Sequence, residues 1–118
     1  MPDVELSLLV LKTRHLEALR KVYSTLGIAL VEERHGKGPI HYAGQVGPVV
    51  FEIYPLPEGD TVVDTTTRLG FVVSSLANVL KSLEKLGTPI VTKPQASERE
   101  MRAIIRDPDG RSIELHEA

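Results

Sequence analysis

Two glutamates in matched surroundings are the strongest candidates for chemistry in this sequence. Glu52 lies in the triplet FEI and Glu114 in the triplet IEL, so each carboxylate stands between two large apolar residues. Successive side chains of a β-strand point to opposite faces, so both glutamates would leave the face on which their neighbours pack. A carboxylate placed in this way can transfer a proton or bind a metal ion. We therefore interpret Glu52 and Glu114 as candidate catalytic groups.

Side chains predicted on the same face extend the candidate site. Alternation places Tyr54 beside Glu52 and His116 beside Glu114, and His41 belongs to a neighbouring predicted strand that flanks this face. If a divalent metal is bound, Glu52, Glu114 and His116 are the predicted ligands, with His41 as a further candidate. The sequence has no Ser-His-Asp spacing, phosphate loop or dinucleotide fingerprint that would indicate another chemistry.

Composition limits the classes of protein that need to be considered. The chain has 118 residues, 42% of them hydrophobic, which suits one globular domain. It has no cysteine, so disulfides, thiolate metal sites and thiol nucleophiles are excluded. A net charge of −2, few aromatic residues and the lack of a long apolar run give no basis for a nucleic-acid or membrane partner. We expect a cytoplasmic protein without a signal segment.

The elements that must position these residues are predicted from apolar periodicity and from glycine and proline turns. Two amphipathic helices end at Gly27 and Gly87, which are suited to the left-handed conformation that follows a helix. The first strand is almost continuously apolar and is predicted to be buried on both faces. A polar loop is predicted over residues 93–100. The predicted strands cover residues 4–12, 28–33, 39–44, 48–55, 68–73, 89–92, 101–106 and 111–117, and the helices cover residues 15–26 and 75–86.

The predicted elements form an internal repeat. Five identical pairs lie 60 positions apart: Leu16/Leu76, Lys21/Lys81, Leu26/Leu86, Gly27/Gly87 and Val31/Val91. The order strand–helix–strand–strand–strand occurs twice, one strand more than a ferredoxin-like plait places after its helix. The sequence therefore predicts an α+β domain of two βαβββ modules, with mixed sheets that form a concave cleft and helices on the outside. Module 1 covers about residues 1–56, a linker about 57–66 and module 2 about 67–118.

The repeat also predicts what lines the cleft beside the glutamates. The offset of 60 places Leu8 at the position of Arg68, and alternation puts Val50 on the face of Glu52. The predicted aliphatic lining consists of Leu6, Leu8, Val10, Val50 and Val72. We interpret Arg68, Leu8, Val50, Tyr54, His116 and His41 as ligand-binding residues.

Four segments resemble the vicinal oxygen chelate superfamily, which includes glyoxalase I, bleomycin-resistance proteins and extradiol dioxygenases. They are LEALRKVYSTLG at 16–27, FEI at 51–53, GFVVSSL at 70–76 and DPDGRSIEL at 107–115, and the last is the most specific. The resemblance implies a divalent metal held at the positions of Leu8, Glu52, Arg68 and Glu114. Leu8 and Arg68 cannot act as ligands, because neither side chain offers a lone pair.

Two carboxylates in one cleft would repel each other unless a cation lies between them. We therefore hypothesise that Glu52, Arg68 and Glu114 form an ion cluster in place of a metal site. The chain is then a glyoxalase-like protein without a metal cofactor, binding a small, partly apolar molecule, as drug-resistance members do. One alternative is a metal-dependent lyase, isomerase or dioxygenase that uses Glu52 and Glu114 with Zn, Ni, Mn or Fe. A second alternative is a dimeric interaction subunit, and in either case we expect a homodimer.

Overall fold

Ten regular elements follow one another in the order that the sequence predicts. The structure is a computed structural model that describes residues 3–95 and 101–118, so residues 96–100 of the predicted polar loop lie outside it. No helix in the described part is long and apolar enough to cross a membrane. The elements are β1 (Leu8–Thr13), α1 (Leu16–Leu26), β2 (Val31–Glu33), β3 (His41–Val46), β4 (Val49–Pro55), β5 (Leu69–Val73), α2 (Leu76–Lys85), β6 (Ile90–Thr92), β7 (Arg102–Arg106) and β8 (Ser112–Glu117).

The strands form two four-stranded mixed sheets of the same topology. Sheet A has the order β1-β4-β3-β2, and sheet B has the order β5-β8-β7-β6. The first strand of each module pairs in parallel with the last, and the other pairs are antiparallel. In the parallel pairs Val10 lies opposite Glu52 and Gly70 lies opposite Glu114. The predicted α+β fold of two βαβββ modules is confirmed.

Each helix covers one face of a sheet because its apolar residues recur at helical spacing. In α1 the buried residues are Leu19, Val22, Tyr23 and Leu26, and the helix ends at Gly27, whose φ of 117° an L side chain rarely adopts. In α2 the side chain of Ser75 accepts a hydrogen bond from the backbone N–H of Asn78 and caps the first turn.

One apolar core joins the two modules on the helix-covered side. The ring of Tyr23 in α1 lies 5.1 Å from that of Phe51 in β4 and 5.9 Å from that of Phe71 in β5. Phe51, Ile53, Ile113 and Leu115, which flank the two glutamates, are all buried in this core. The opposite face of each sheet, here called the open face, therefore carries Glu52 or Glu114, as alternation predicts.

The first strand differs from its prediction. Residues 4–7 are exposed, and β1 begins only at Leu8, opposite Val50 near the start of its partner strand β4. The prediction that β1 is buried on both faces is wrong, because Leu8 on the open face is 51% exposed whereas Leu11 on the helix side is buried. A continuous apolar run does not reveal whether a second layer covers the sheet.

The closing turn is a structural link between the modules. Asp107 is buried, and one of its carboxylate oxygens accepts hydrogen bonds from the backbone N–H groups of Asp109 at 2.9 Å and Arg111 at 3.0 Å. The other oxygen accepts from the hydroxyl of Tyr23 at 2.9 Å and from Nη1 of Arg111 at 3.1 Å. Arg111 also donates from Nη2 to the carbonyl of Lys12 in β1 at 2.8 Å. The turn thus connects β8 to α1 and β1 of the other module.

Candidate functional site

Glu52 lies in the middle of sheet A on the open face. Its neighbours across the strands are Val10 in β1 and Ala43 in β3, neither of which offers a polar side chain. One polar contact is to a histidine, since Oε2 of Glu52 lies 3.8 Å from Nε2 of His41. Glu52 is half-buried, so its carboxylate remains accessible from the open face.

Glu114 occupies the equivalent place in sheet B but has different partners. It lies between Gly70 in β5 and Ile104 in β7. Its Oε1 is 3.2 Å from Nη1 of Arg102 and 3.4 Å from Nε2 of His116. The charge of Glu114 is therefore neutralised by Arg102, a residue of the same sheet.

The predicted ion cluster of Glu52, Arg68 and Glu114 is not formed. Within residues 3–95 and 101–118 no hydrogen bond or ion pair joins Arg68 to either glutamate, or the two glutamates to each other. The register explains the difference, because Gly70 rather than Arg68 lies opposite Glu114. The positive charge beside Glu114 comes from Arg102 on the adjacent strand.

A cluster of ionisable side chains surrounds the hairpin between β2 and β3. Glu33 and His41 lie directly opposite each other in this antiparallel pair, which brings their side chains together on one face. The ring of His41 stacks on that of Tyr54 at 4.0 Å with an interplanar angle of 9°. Burial and the nearby carboxylates of Glu52 and Glu33 raise the pKa of Tyr54.

His41 is held in one orientation and keeps one ring nitrogen without a hydrogen bond. Its side chain is only 1% exposed, and Nδ1 lies 3.2 Å from the carbonyl oxygen of Pro39. Because a carbonyl only accepts, Nδ1 carries the hydrogen of this bond. Nε2 has no hydrogen-bond partner and lies 3.4 Å from Oε1 of Glu33 and 3.8 Å from Oε2 of Glu52. His35 adds a second ring, with Nε2 3.9 Å from the same oxygen of Glu33.

Among the described residues, Glu33, His35 and His41 are a group that could hold a metal ion. One ligand atom from each lies within 4.8 Å of the others. Imidazole nitrogens and a carboxylate oxygen suit zinc and the other first-row divalent ions better than Mg²⁺ or Ca²⁺. We call this group, together with Glu52, the hairpin cluster.

The structure brings together only part of the predicted site. His41, Glu52 and Tyr54 lie side by side on sheet A, with Leu8 and Val50 further along the same face. Glu114 and His116 contact each other on sheet B, and Arg68 lies just before β5. The three predicted metal ligands Glu52, Glu114 and His116 are therefore divided between two sheets.

Two residues of the hairpin cluster were missed by the sequence analysis. His35 was not among the predicted site residues, and its side chain is 74% exposed on the turn, while Glu33 was only the last residue of a predicted strand. The available signal was the spacing Glu33-x-His35, a turn containing two glycines, and then His41. If the two flanking strands pair around that turn, Glu33 and His41 face each other.

A mostly apolar groove of about 460 Å³ lies beside Tyr54, at the end of β4. Lys12 and Glu58 contribute the charged groups of its wall. The full lining is Lys12, Pro39, Tyr54, Pro55, Leu56, Pro57 and Glu58. Pro39 also holds Nδ1 of His41, so the groove and the hairpin cluster share a wall.

Paired βαβββ modules with a glutamate on each open face define the class of protein. The chain belongs to the Glyoxalase/Bleomycin resistance protein/Dioxygenase superfamily, whose sequence profile matches residues 6–115. No curated protein matches it at a significant level.

Solved structures support the fold at low sequence identity. The chain is similar to a virulence protein from Salmonella typhimurium (TM-score 0.70, 23% identity, covering 99% of this chain and 98% of that one). It is also similar to lactoylglutathione lyase from Agrobacterium tumefaciens (TM-score 0.65, 17% identity, covering 100% of this chain and 96% of that one). A third similar structure is the fosfomycin resistance protein FosX from Mesorhizobium loti (TM-score 0.66, 14% identity, covering 100% of this chain and 94% of that one).

Proposed function

We propose that this member of the superfamily binds a small, partly apolar molecule in the groove beside Tyr54 and on the adjoining open face of sheet A. It does so without a metal ion at the positions that metal-dependent members use. The groove carries the proposal, since it combines a mainly aliphatic lining with the charged groups of Lys12 and Glu58 at its wall. This composition is typical of small-molecule sites.

The chemistry of the first strand in each module supports the part of the proposal that concerns metal. The resemblance to metal-dependent members places ligands at the positions of Leu8 and Arg68, which have no lone pair to donate. The residues opposite the glutamates, Val10 and Gly70, also lack a donor side chain. Each glutamate would therefore bind a metal there without help from its neighbouring first strand.

The test is a titration of tag-free, EDTA-treated protein with bleomycin, fosfomycin or lactoylglutathione, each in a separate experiment. Binding is measured by calorimetry and by NMR of the labelled protein. We expect at least one of them to bind the metal-free protein and to shift the resonances of Tyr54 and Leu56. Leu56→Asp should lower that affinity at least about tenfold, because it places a charge in the apolar groove. Val4→Asp, at an 84% exposed position outside the groove, is the matched control.

Two outcomes would contradict the proposal. Binding that occurs only after a divalent metal is restored, and that requires both Glu52 and Glu114, would favour the metal-dependent lyase, isomerase or dioxygenase. Binding by none of the three compounds, or binding that leaves the groove resonances unchanged, would remove the groove from consideration.

A homodimer is a second candidate, favoured by the aliphatic residues of the open faces. Leu8 and Val72 are 51% and 69% exposed, which leaves large apolar side chains in contact with water on both sheets. A second copy placed over these faces would remove them from water and extend the ligand site. Sedimentation at several concentrations tests this, and Val72→Lys should shift the protein towards the monomer. A monomer at all concentrations would exclude the dimer.

The cytoplasmic location stays a prediction.

A further inference from the structure

We propose that Glu33, His35 and His41 bind one divalent ion of the zinc type, with Glu52 as a fourth ligand. This site lies on the β2–β3 hairpin and shares only Glu52, at the centre of β4, with the positions at which the resemblance places a metal. It does not depend on the proposed occupant of the groove.

The first reason is the arrangement around Nε2 of His41. The hydrogen on Nδ1 is directed to Pro39, so the lone pair of Nε2 is the ring's free donor when the imidazole is neutral. Two carboxylates, from Glu33 and Glu52, approach this nitrogen in a nearly solvent-free position. A lone pair facing two carboxylates is unfavourable unless a proton or a metal cation lies among them, and a metal ion can accept from all three groups at once.

The second reason is the spacing of the ligand atoms. In a tetrahedral zinc site with bonds of about 2.0–2.2 Å, neighbouring ligand atoms are about 3.3–3.6 Å apart. Three of the six separations among the four proposed ligands are 3.4 Å from His41 to Glu33, 3.8 Å from His41 to Glu52 and 3.9 Å from His35 to Glu33. The first pair already has that spacing, and contraction by a few tenths of an ångström would bring the other two pairs to it. All ligand-atom separations within Glu33, His35 and His41 are at most 4.8 Å.

The third reason is the support behind the ligands. The Pro39 carbonyl fixes the ring orientation and tautomer of His41, which is the role that partners of metal-bound histidines generally have. The ring of Tyr54 stacks on one face of the His41 ring and limits its rotation. His35 is mostly exposed on the turn, so it can close over an ion that has entered from solvent.

The experiment is isothermal titration of tag-free, EDTA-treated protein with ZnCl₂, with MgCl₂ as the comparison ion. The chain has no cysteine and only four histidines, so few competing sites exist. We expect one Zn²⁺ per chain and no Mg²⁺ binding, since imidazole ligands suit zinc. His35→Ala and Glu33→Gln should each lower the zinc affinity at least about tenfold. His15→Ala and Glu32→Gln, which remove an exposed histidine and an exposed glutamate of the same module, should change it less than about twofold.

Two measurements keep the result interpretable. Thermal unfolding in EDTA should be unchanged by His35→Ala, because this exposed side chain contributes little to packing, so a loss of zinc binding cannot be attributed to unfolding. Co²⁺ bound in place of Zn²⁺ should give the absorption of a tetrahedral site, which His35→Ala abolishes. The proposal is overturned if no Zn²⁺ binds at one per chain, or if both variants bind it like wild type. It is also overturned if Glu114→Gln or His116→Ala, rather than His35→Ala, removes the ion.

Discussion

The carboxylate of Asp107 accepts four hydrogen bonds inside the protein, and replacing it by an amide tests whether the closing turn holds the two modules together. In Asp107→Asn the amide oxygen would still accept from the two backbone N–H groups, as Oδ1 does now. On its other side the new NH₂ group would meet Tyr23 and Nη1 of Arg111. The tyrosine hydroxyl can turn to accept, but a guanidinium has only donors. The substitution therefore removes one of the two carboxylates that pair with Nη1 of the buried Arg111, and Asp109, at 3.0 Å, is the one that stays.

The expected cost follows from the burial of this pair. The side chains of Arg111 and Asp107 are 1% and 0% exposed. Removing one partner of a buried ion pair costs about 3–5 kcal/mol when the other charge is left uncompensated. Because Asp109 still pairs with Arg111, we expect Asp107→Asn to lower the free energy of unfolding by about 3 kcal/mol, the lower end of that range. Tyr23→Phe removes only one hydrogen bond to the carboxylate and should cost about 1.5–3 kcal/mol. A domain of this kind is stable by about 5–15 kcal/mol, so both losses are measurable.

Urea denaturation followed by circular dichroism gives the free energies. The slope with urea should stay constant, because the same surface is exposed on unfolding. Asp60→Asn, at an exposed position in the linker, should stay within about 0.5 kcal/mol of wild type. The double variant Tyr23→Phe/Asp107→Asn should cost less than the sum of the single variants, because both act on one network. A loss under about 1 kcal/mol for Asp107→Asn, or strict additivity, would refute the view that this turn links the modules.

Two further predictions concern a glycine and a surface carboxylate. A Cβ added at Gly44 would lie 2.6 Å from the carbonyl oxygen of Ala29, so Gly44→Ala should cost about 1–3 kcal/mol. Gly70→Ala, whose Cβ would have its nearest neighbour at 3.8 Å, should cost nothing measurable by urea denaturation. The hydrogen bond from Tyr42 lowers the pKa of Glu17, so the stability that this contact adds is present above the ordinary carboxyl pKa and is lost as pH falls through the lowered value. NMR titration of the Glu17 carboxyl should show the low midpoint, and Tyr42→Phe should raise it; an unchanged midpoint would contradict this assignment.

The elements were predictable because local signals agree with the fold. Apolar residues at helical spacing mark both helices, and Gly27 ends α1 in the left-handed conformation that its lack of a side chain permits. Alternation also predicted correctly that Glu52 and Glu114 point away from the core. These inferences need only the identity of residues a few positions apart.

The partners of the glutamates were not predictable in the same way, because they depend on register between strands. The repeat placed Arg68 near Glu114, but pairing of β5 with β8 puts Gly70 there, and β7 supplies Arg102. His35 joins the hairpin cluster from a turn, and the shape of this turn is set by Gly36 at φ 58°. Charge and spacing alone do not fix such contacts.

The two modules differ at one shared position, and this difference explains why, among the residues that the structure describes, the candidate metal cluster lies in module 1. Arg102 lies opposite His116, two residues beyond Glu114 along β8. In module 1 the register of β3 and β4 ends with Tyr42 opposite Ile53, so the next pair is His41 with Tyr54. Tyr54 lies two residues beyond Glu52, and His41 therefore takes the place that Arg102 has in module 2. Arg102 is permanently charged and neutralises its glutamate without offering a lone pair. His41 offers a lone pair that a cation can share with the carboxylate, so the same place in the duplicated fold supplies an ion pair in one module and a candidate ligand in the other.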